Sequence, residues 1–258
     1  MKITKIEKKK RLYLLETDQN QKVYITEDTI IHFMLSKGKE ISESTFKEIE
    51  TFAQLSYGKN LALYYLSFKQ RTSKEVADYL LNYQIQEDNI IQIIQQLKES
   101  NWINDRHYTE QFLYQNSLSG DKGPNVLSYK LSQKGVGLSI INEEMEKIDF
   151  SPIADRLAQK LLIKYQNKLP QRALKDKLLK QMLNKGFTYE LGKQSISHLE
   201  WQDKQEIESN LLQKELEKQY YKLSRKYQDY DLRKRLTQTL MRKGYDYSDI
   251  TSALRDYL

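Results

Sequence analysis

Apolar residues recur along this chain in one spaced set. Val76, Leu80, Ile85, Ile94 and Leu97 are separated by steps of 4, 5, 9 and 3. The same steps return in Leu127, Leu131, Val136, Met145 and Ile148, in Leu178, Met182, Phe187, Ile196 and Leu199, and in Leu236, Leu240, Tyr245, Leu254 and Tyr257. With 39% of residues hydrophobic, fifteen further matches to the first set would arise by chance about once in a million trials. The chain is therefore built on a four-fold repeat, at offsets of 51, 51 and 58 residues.

Steps of four and three are helical spacings, so each set marks two helices. The step of five marks the turn between them. That turn reads Lys134-Gly135-Val136, Lys185-Gly186-Phe187 and Lys243-Gly244-Tyr245 in the last three repeats. Glycine just past a helix end accepts the left-handed backbone that closes the last turn, and lysine before it suits the negative helix terminus. The first repeat has Tyr83-Gln84-Ile85 instead, which predicts a left-handed Gln84. Thr188 and Asp246 are placed to cap the helices that follow.

A further helical segment precedes each pair: 61–68, 108–118, 153–166 and 211–227. Thr72-Ser73-Lys74-Glu75 reads as a capping box, and Gly123-Pro124 puts proline in a first turn. Ahead of the repeats, 3–8, 11–15 and 21–25 read as strands, with Asp18-Gln19-Asn20 as a hairpin turn. A helix is expected over 28–36, a linker over 36–41 and a helix over 43–55. The fold class predicted is mainly α: tandem three-helix, helix-turn-helix-like repeats forming an elongated curved array, with a small N-terminal β-hairpin element. The expected divisions are a strand and helix cap at 1–57 and repeats at 58–107, 108–152, 153–203 and 204–258.

Composition narrows the class. The 258 residues include 9 glycines, 3 prolines and no cysteine, which argues against loop-rich β architectures and excludes thiolate chemistry. The longest apolar runs fall short of a membrane span and no signal-peptide core follows the lysine-rich start, so a soluble cytoplasmic protein is expected. The net charge is +7, and it is unevenly spread. Ten lysines or arginines face two acids between Arg156 and Lys193, and eight face Asp229 and Asp231 between Lys222 and Lys243. A positive C-terminal half favours acidic partners. Tyr220, Tyr221, Tyr227 and Tyr230 in that half could stack on bases, although tyrosines at helical spacing more often pack between repeats.

Reactive groups are sparse. His32, His107 and His198 lie far apart in sequence and outside any metal-binding helix motif, and read as structural. Asp105 and the run Glu143-Glu144-Met145-Glu146 are the carboxylates an enzyme such as a nuclease would need. The simpler readings are an N-cap at Asn104 or Asp105, and a solvated face around a core Met145. The pair Gly135-Val136-Gly137 is weak evidence for a phosphate loop. The first residues after the repeat turns, Gln86, Gly137, Thr188 and Asp246, share no base-reading side chain, which disfavours sequence-specific major-groove recognition.

At three motifs the sequence resembles the RecX family: Lys69-Gln70-Arg71-Thr72-Ser73-Lys74-Glu75-Val76; Trp102-Ile103-Asn104-Asp105 followed by Tyr108 and Phe112; and Lys122-Gly123-Pro124 through Leu127, Leu131 and Lys134-Gly135-Val136. The resemblance covers roughly 60–258, and 36–41 also resembles the longer Gram-positive members. Tyr83-Gln84 departs from the family's basic-glycine turn. The resemblance implies a non-enzymatic regulator, without cofactor or metal, that binds the RecA recombinase and its filament on single-stranded DNA. It would restrain ATP hydrolysis and strand exchange in DNA repair and the SOS response. The expected partners are the RecA filament and single-stranded DNA, bound weakly by this chain alone; a monomer and no membrane association are expected. Lys122, Lys134, Lys185, Arg233, Arg235 and Lys243 are the expected electrostatic contacts, with Gly123, Pro124 and Gly135 structural. The alternative is a stand-alone nucleic-acid-binding helical-repeat protein acting without RecA.

Overall fold

The computed structural model describes residues 1–201 and 205–257. The expected boundary at 203/204 and the terminal Leu258 lie outside the described residues.

Three antiparallel strands, β1 (Ile3–Lys9), β2 (Leu12–Thr17) and β3 (Lys22–Ile25), form a sheet in that order. Ile3, Leu15 and Ile25 are buried from its inner face against Phe46, Ile49 and Ala53. Segment 36–41 is no free linker. The amide of Ile3 donates to the Lys39 carbonyl at 2.9 Å, Gly38 to Ile3 at 2.8 Å and Ile41 to Met1 at 2.9 Å, which satisfies backbone groups along the edge of β1. Helix α1 (Glu27–His32), capped by Thr26, stops short of the expected Ser36, because Met34 takes a φ of +45°.

The helices expected over 43–55 and 61–68 are one 24-residue helix, α2 (Glu43–Leu66). Gly58 sits inside it without breaking it. A Cβ there would lie 2.5 Å from Ile93 Cδ1, so the glycine admits a packed neighbour rather than a turn. The first half of α2 serves the sheet's core and the second half serves the first repeat's.

Helices then follow in groups. α3 (Ser73–Asn82) and α4 (Glu87–Glu99) complete the first repeat. α5 (Asp105–Ser119), α6 (Pro124–Gln133) and α7 (Leu138–Glu146) form the second. α8 (Ser151–Tyr165), α9 (Gln171–Asn184) and α10 (Tyr189–Ser197) form the third. α11 (Gln205–Leu223), α12 (Asp229–Arg242) and α13 (Tyr247–Tyr257) form the fourth. No described helix is long and apolar enough to cross a membrane. The first three positions of the apolar set are buried in every repeat; of the last two, Ile94, Met145 and Ile148 are half-buried and Tyr257 is exposed. The chain divides into two compact units, Met1–Phe112 with Lys130–Glu144, and Leu113–Tyr129 with Met145–Leu258. The first holds the sheet core and the first-repeat core; the second holds the third- and fourth-repeat cores.

The capping box at Thr72 and Glu75 is formed as expected, and Thr188 caps α10. Gly135, Gly186 and Gly244 close their turns at φ of +78°, +89° and +95°, and Gln84 shares that backbone at +60°. An exposed side chain held there loses little if removed. Gln84→Gly is expected to stabilise the protein by about 0.5 to 1 kcal/mol, read as a higher urea midpoint; a lower midpoint would show that Gln84 makes a contact worth more than its backbone strain.

Candidate interaction surface

Each glycine-closed turn is seated on the start of the second helix of the repeat before it. In the first unit, the Thr72 hydroxyl donates to the Lys134 carbonyl at 2.6 Å, and a Cβ on Gly135 would run into the Lys74 side chain. Asp105, at the start of α5, accepts from the Ser73 amide at 2.8 Å and the Ser73 hydroxyl at 2.6 Å. In the second unit, the amides of Gly123 and Asn125 donate to the Lys185 and Gly186 carbonyls at 2.8 and 3.1 Å. A Cβ on Gly186 would lie 2.5 Å from the Val126 nitrogen. Arg156 of α8 reaches the Ser117 and Gly120 carbonyls at the end of α5. In the same unit, a Cβ on Gly244 would lie 2.8 Å from Ala173 Cβ, and Glu208 of α11 accepts from the Gln171 amide at 2.8 Å. The amides left open at one helix N-terminus are thus closed by the next repeat. Repeat one has no predecessor, which is why its turn can carry a side chain at position 84.

The expected contact lysines are drawn into these joints. Lys134 pairs with Glu75 and lies over the Tyr108 ring at 5.5 Å. Lys185 pairs with Asp121 at 2.6 Å, and Lys122 lies 3.5 Å from the same carboxylate. Lys243 pairs with Glu215 of its own repeat at 3.1 Å. Arg233 and Arg235 differ. Both are exposed; Arg235 covers the Tyr227 ring at 5.3 Å, and Arg233 lines a groove of about 580 Å³ with Tyr220, Tyr227, Asp229 and Tyr230. Tyr220 and Tyr227 are half-buried against the fourth-repeat core, whereas Tyr221 and Tyr230 stand free, the latter 76% exposed.

The joints carry a pH dependence. Burial pushes the Glu75 carboxyl up, but hydrogen bonds from Lys134 and the Thr72 amide and the charges of Lys134 and Arg71 outweigh it and hold it below its ordinary 4.5. The Lys185 hydrogen bond likewise lowers Asp121 against its partial burial. A carboxylate depressed on folding contributes stability above its unfolded value and loses it as pH falls. The urea midpoint is therefore expected to fall more between pH 7 and pH 4 for the native chain than for Glu75→Gln; equal falls would remove Glu75 from the acid limb.

The carboxylates a nuclease would need are engaged in structure. Asn104, not Asp105, caps α5, accepting from the His107 amide at 2.9 Å. The run 143–146 is not a solvated face around a core Met145. Glu144 is buried, at 3% exposure, and Met145 is half-buried. Arg106 donates to Glu144 through Nη1 and to Glu143 through Nη2 at 2.6 Å, and both carboxylates raise the arginine's pKa, Glu143 more. The signal was present in the repeat: one position before the fourth apolar site stand Ile93, Glu144, Ser195 and Ala253, and Ile93 shows that this is a core position. His32 stacks on Phe52 at 4.3 Å, His107 meets Glu110 and His198 meets Asp155. Among the described residues no group of three or more histidines and carboxylates is placed to hold a metal ion.

One cluster escaped the periodicity. Tyr65 stacks on Tyr79 at 4.0 Å, Tyr79 meets Tyr83 at 4.9 Å, and Arg71 lies 4.2 Å from the Tyr65 ring. The Tyr83 hydrogen bond, with burial, pushes the Tyr79 hydroxyl up to about 12. The four-residue spacing of Tyr79 and Tyr83 is its only sequence trace.

These features define a tandem three-helix-repeat protein with a basic, tyrosine-bearing last repeat. Residues 59–97 match the model for RecX, first three-helix domain, and 206–254 match RecX, third three-helix domain. The chain is 59% identical over 257 residues to the regulatory protein RecX of Streptococcus gordonii and 58% identical over 258 residues to that of Streptococcus pneumoniae, each match covering 100% of both chains. Among solved structures, a regulatory protein RecX aligns with a TM-score of 0.62 at 28% identity, over 77% of this chain and 99% of the other. RecX from Lactobacillus salivarius aligns with a TM-score of 0.54 at 34% identity, over 57% and 96%. The chain belongs to the RecX family.

Proposed function

We propose that this protein binds RecA and its filament on single-stranded DNA and restrains ATP hydrolysis and strand exchange, acting as a cytoplasmic monomer without catalysis of its own. Full-length identity with proteins named regulatory protein RecX carries the reading. The surface supports it physically. Exposed Arg233 and Arg235 are proposed as the first contacts with phosphate or acidic protein, because neither has to leave a carboxylate to make them. Lys122, Lys134, Lys185 and Lys243 are proposed as secondary contacts, each made at the expense of an internal pair. The divisions 1–57, 58–107, 108–152, 153–203 and 204–258 are proposed as the cap and four modules, with several modules engaging one filament.

RecA ATPase on single-stranded DNA, titrated with the purified chain, is expected to fall as the ratio approaches stoichiometric. Unchanged turnover at a several-fold excess would refute the reading. The exposed arginines and tyrosines of the last repeat also favour a second reading, nucleic-acid binding without RecA. It requires tight, salt-sensitive anisotropy changes with DNA alone, where the first reading expects weak ones.

A further inference from the structure

The joint between repeats has two halves. One is a glycine-closed helix end; the other is a socket formed by the end of a repeat's first helix and the start of its second. Three sockets are filled: the start of α3 by the Gly135 turn, the end of α5 and start of α6 by the Gly186 turn with Arg156, and the start of α9 by the Gly244 turn with Glu208. The fourth repeat has no successor. Its equivalent surface, between the end of α11 and the start of α12, is the groove lined by Tyr220, Ser224, Tyr227, Gln228, Tyr230 and Arg233.

We propose that this groove is a fourth socket and takes a helix end of the RecA protomer, one closed by glycine and carrying lysine or arginine just before it. The partner class rests on the function proposed above. Three observations select this occupant. The internal joints show what such a surface accepts, because each seats a backbone that a side chain at the glycine would push away. Charge matches as well. In the first two sockets Glu75 and Asp121 receive the turn's lysine, and here Asp229 and Asp231 stand exposed in the first turn of α12 with no ion pair among the described residues. A second copy of this chain does not fit. Its one turn without a socket is Tyr83-Gln84-Ile85, which offers no lysine and places a side chain where the seated turns have none. Head-to-tail joining would otherwise build an open polymer, and Gln84 opposes it.

The terminal surface is also unlike a plain end cap. Outer faces of terminal repeats are usually polar, yet this one presents Tyr230 and, beside it, Tyr221 at 67% exposure. Tyrosine and arginine around a groove are the composition of interface anchors.

Two full-length variants test the proposal. Ser224→Trp fills the groove and is expected to weaken binding to RecA filaments at least tenfold with an unchanged melting temperature. In the second, Tyr230 is replaced by the photocrosslinker p-benzoylphenylalanine. Irradiation with RecA filaments is expected to yield a crosslink mapped by mass spectrometry to a RecA helix end in which lysine or arginine precedes glycine. A crosslink to DNA would make the groove a nucleic-acid site and overturn the proposal, as would a crosslink to another copy of this chain. If Ser224→Trp binds filaments and inhibits RecA as the native chain does, the socket fails while the proposed function stands. If the native chain itself leaves RecA ATPase untouched, the proposed function fails and the socket's occupant with it. Should Ser224→Trp not fold, the crosslink decides.

Discussion

Gly186→Ala is expected to cost about 2 to 5 kcal/mol of stability, the sum of about 1 to 2 for an L residue in the left-handed region and about 1 to 3 for overpacking a closed contact. Both contributions are visible at the site. The backbone sits at φ +89°, and the new Cβ would lie 2.5 Å from the Val126 nitrogen and 2.7 Å from its Cγ2. The nitrogen belongs to the first turn of α6 and cannot move without shifting that helix. The amides of Gly123 and Asn125, which donate to the Lys185 and Gly186 carbonyls, should exchange faster in the variant. Gly135→Ala provides the internal control, because its neighbours are atoms of the Lys74 side chain rather than backbone. The urea midpoint should fall further for Gly186→Ala than for Gly135→Ala. If Gly186→Ala melted like the native chain, the turn would not be seated as described. Its opposite is Gln84→Gly, where the same backbone faces no socket and glycine is a gain.

That contrast marks how far the sequence reaches. The steps between apolar residues located the helix pairs, and the lysine-glycine turns located the left-handed residues, including the non-glycine one at Gln84, because both are local consequences of helix geometry. What lay beyond was non-local. Lys134 and Glu75 are 59 residues apart, and Lys185 and Asp121 are 64 apart, so periodicity offers the lysines as free charges while the fold uses them in joints. Segment 36–41 looked like a linker because its partner, the edge of β1, lies at the other end of the cap. Gly58 looked like a break because a glycine that admits Ile93 and a glycine that ends a helix read alike in sequence. In each case the deciding contact is made by a residue that local spacing cannot see.

Glu144 shows the same blindness with the larger energetic stake. It occupies a position filled by Ile93 in the first repeat, and its carboxylate is 3% exposed against the Arg106 guanidinium. Removing one partner of a buried pair typically costs about 3 to 5 kcal/mol, because the charge left behind has lost its compensation. Arg106 is 44% exposed and also holds Glu143, so water and that second carboxylate recover part of the loss. Glu144→Ala is therefore expected to cost about 2 to 3 kcal/mol. Glu144→Gln tests charge against shape, since it keeps the volume and one acceptor, and should recover only part of the stability. The double variant Arg106→Met with Glu144→Ile should return close to native stability. Replacing both ions by apolar groups of similar length removes the desolvation cost along with the attraction, and isoleucine is what the first repeat already holds at this position. A double-mutant cycle by urea melts measures the coupling directly. Additive losses in that cycle would mean that Arg106 and Glu144 are neighbours without being partners, whereas a double variant more stable than either single one establishes that the second repeat tolerates the apolar core its relatives in the chain use.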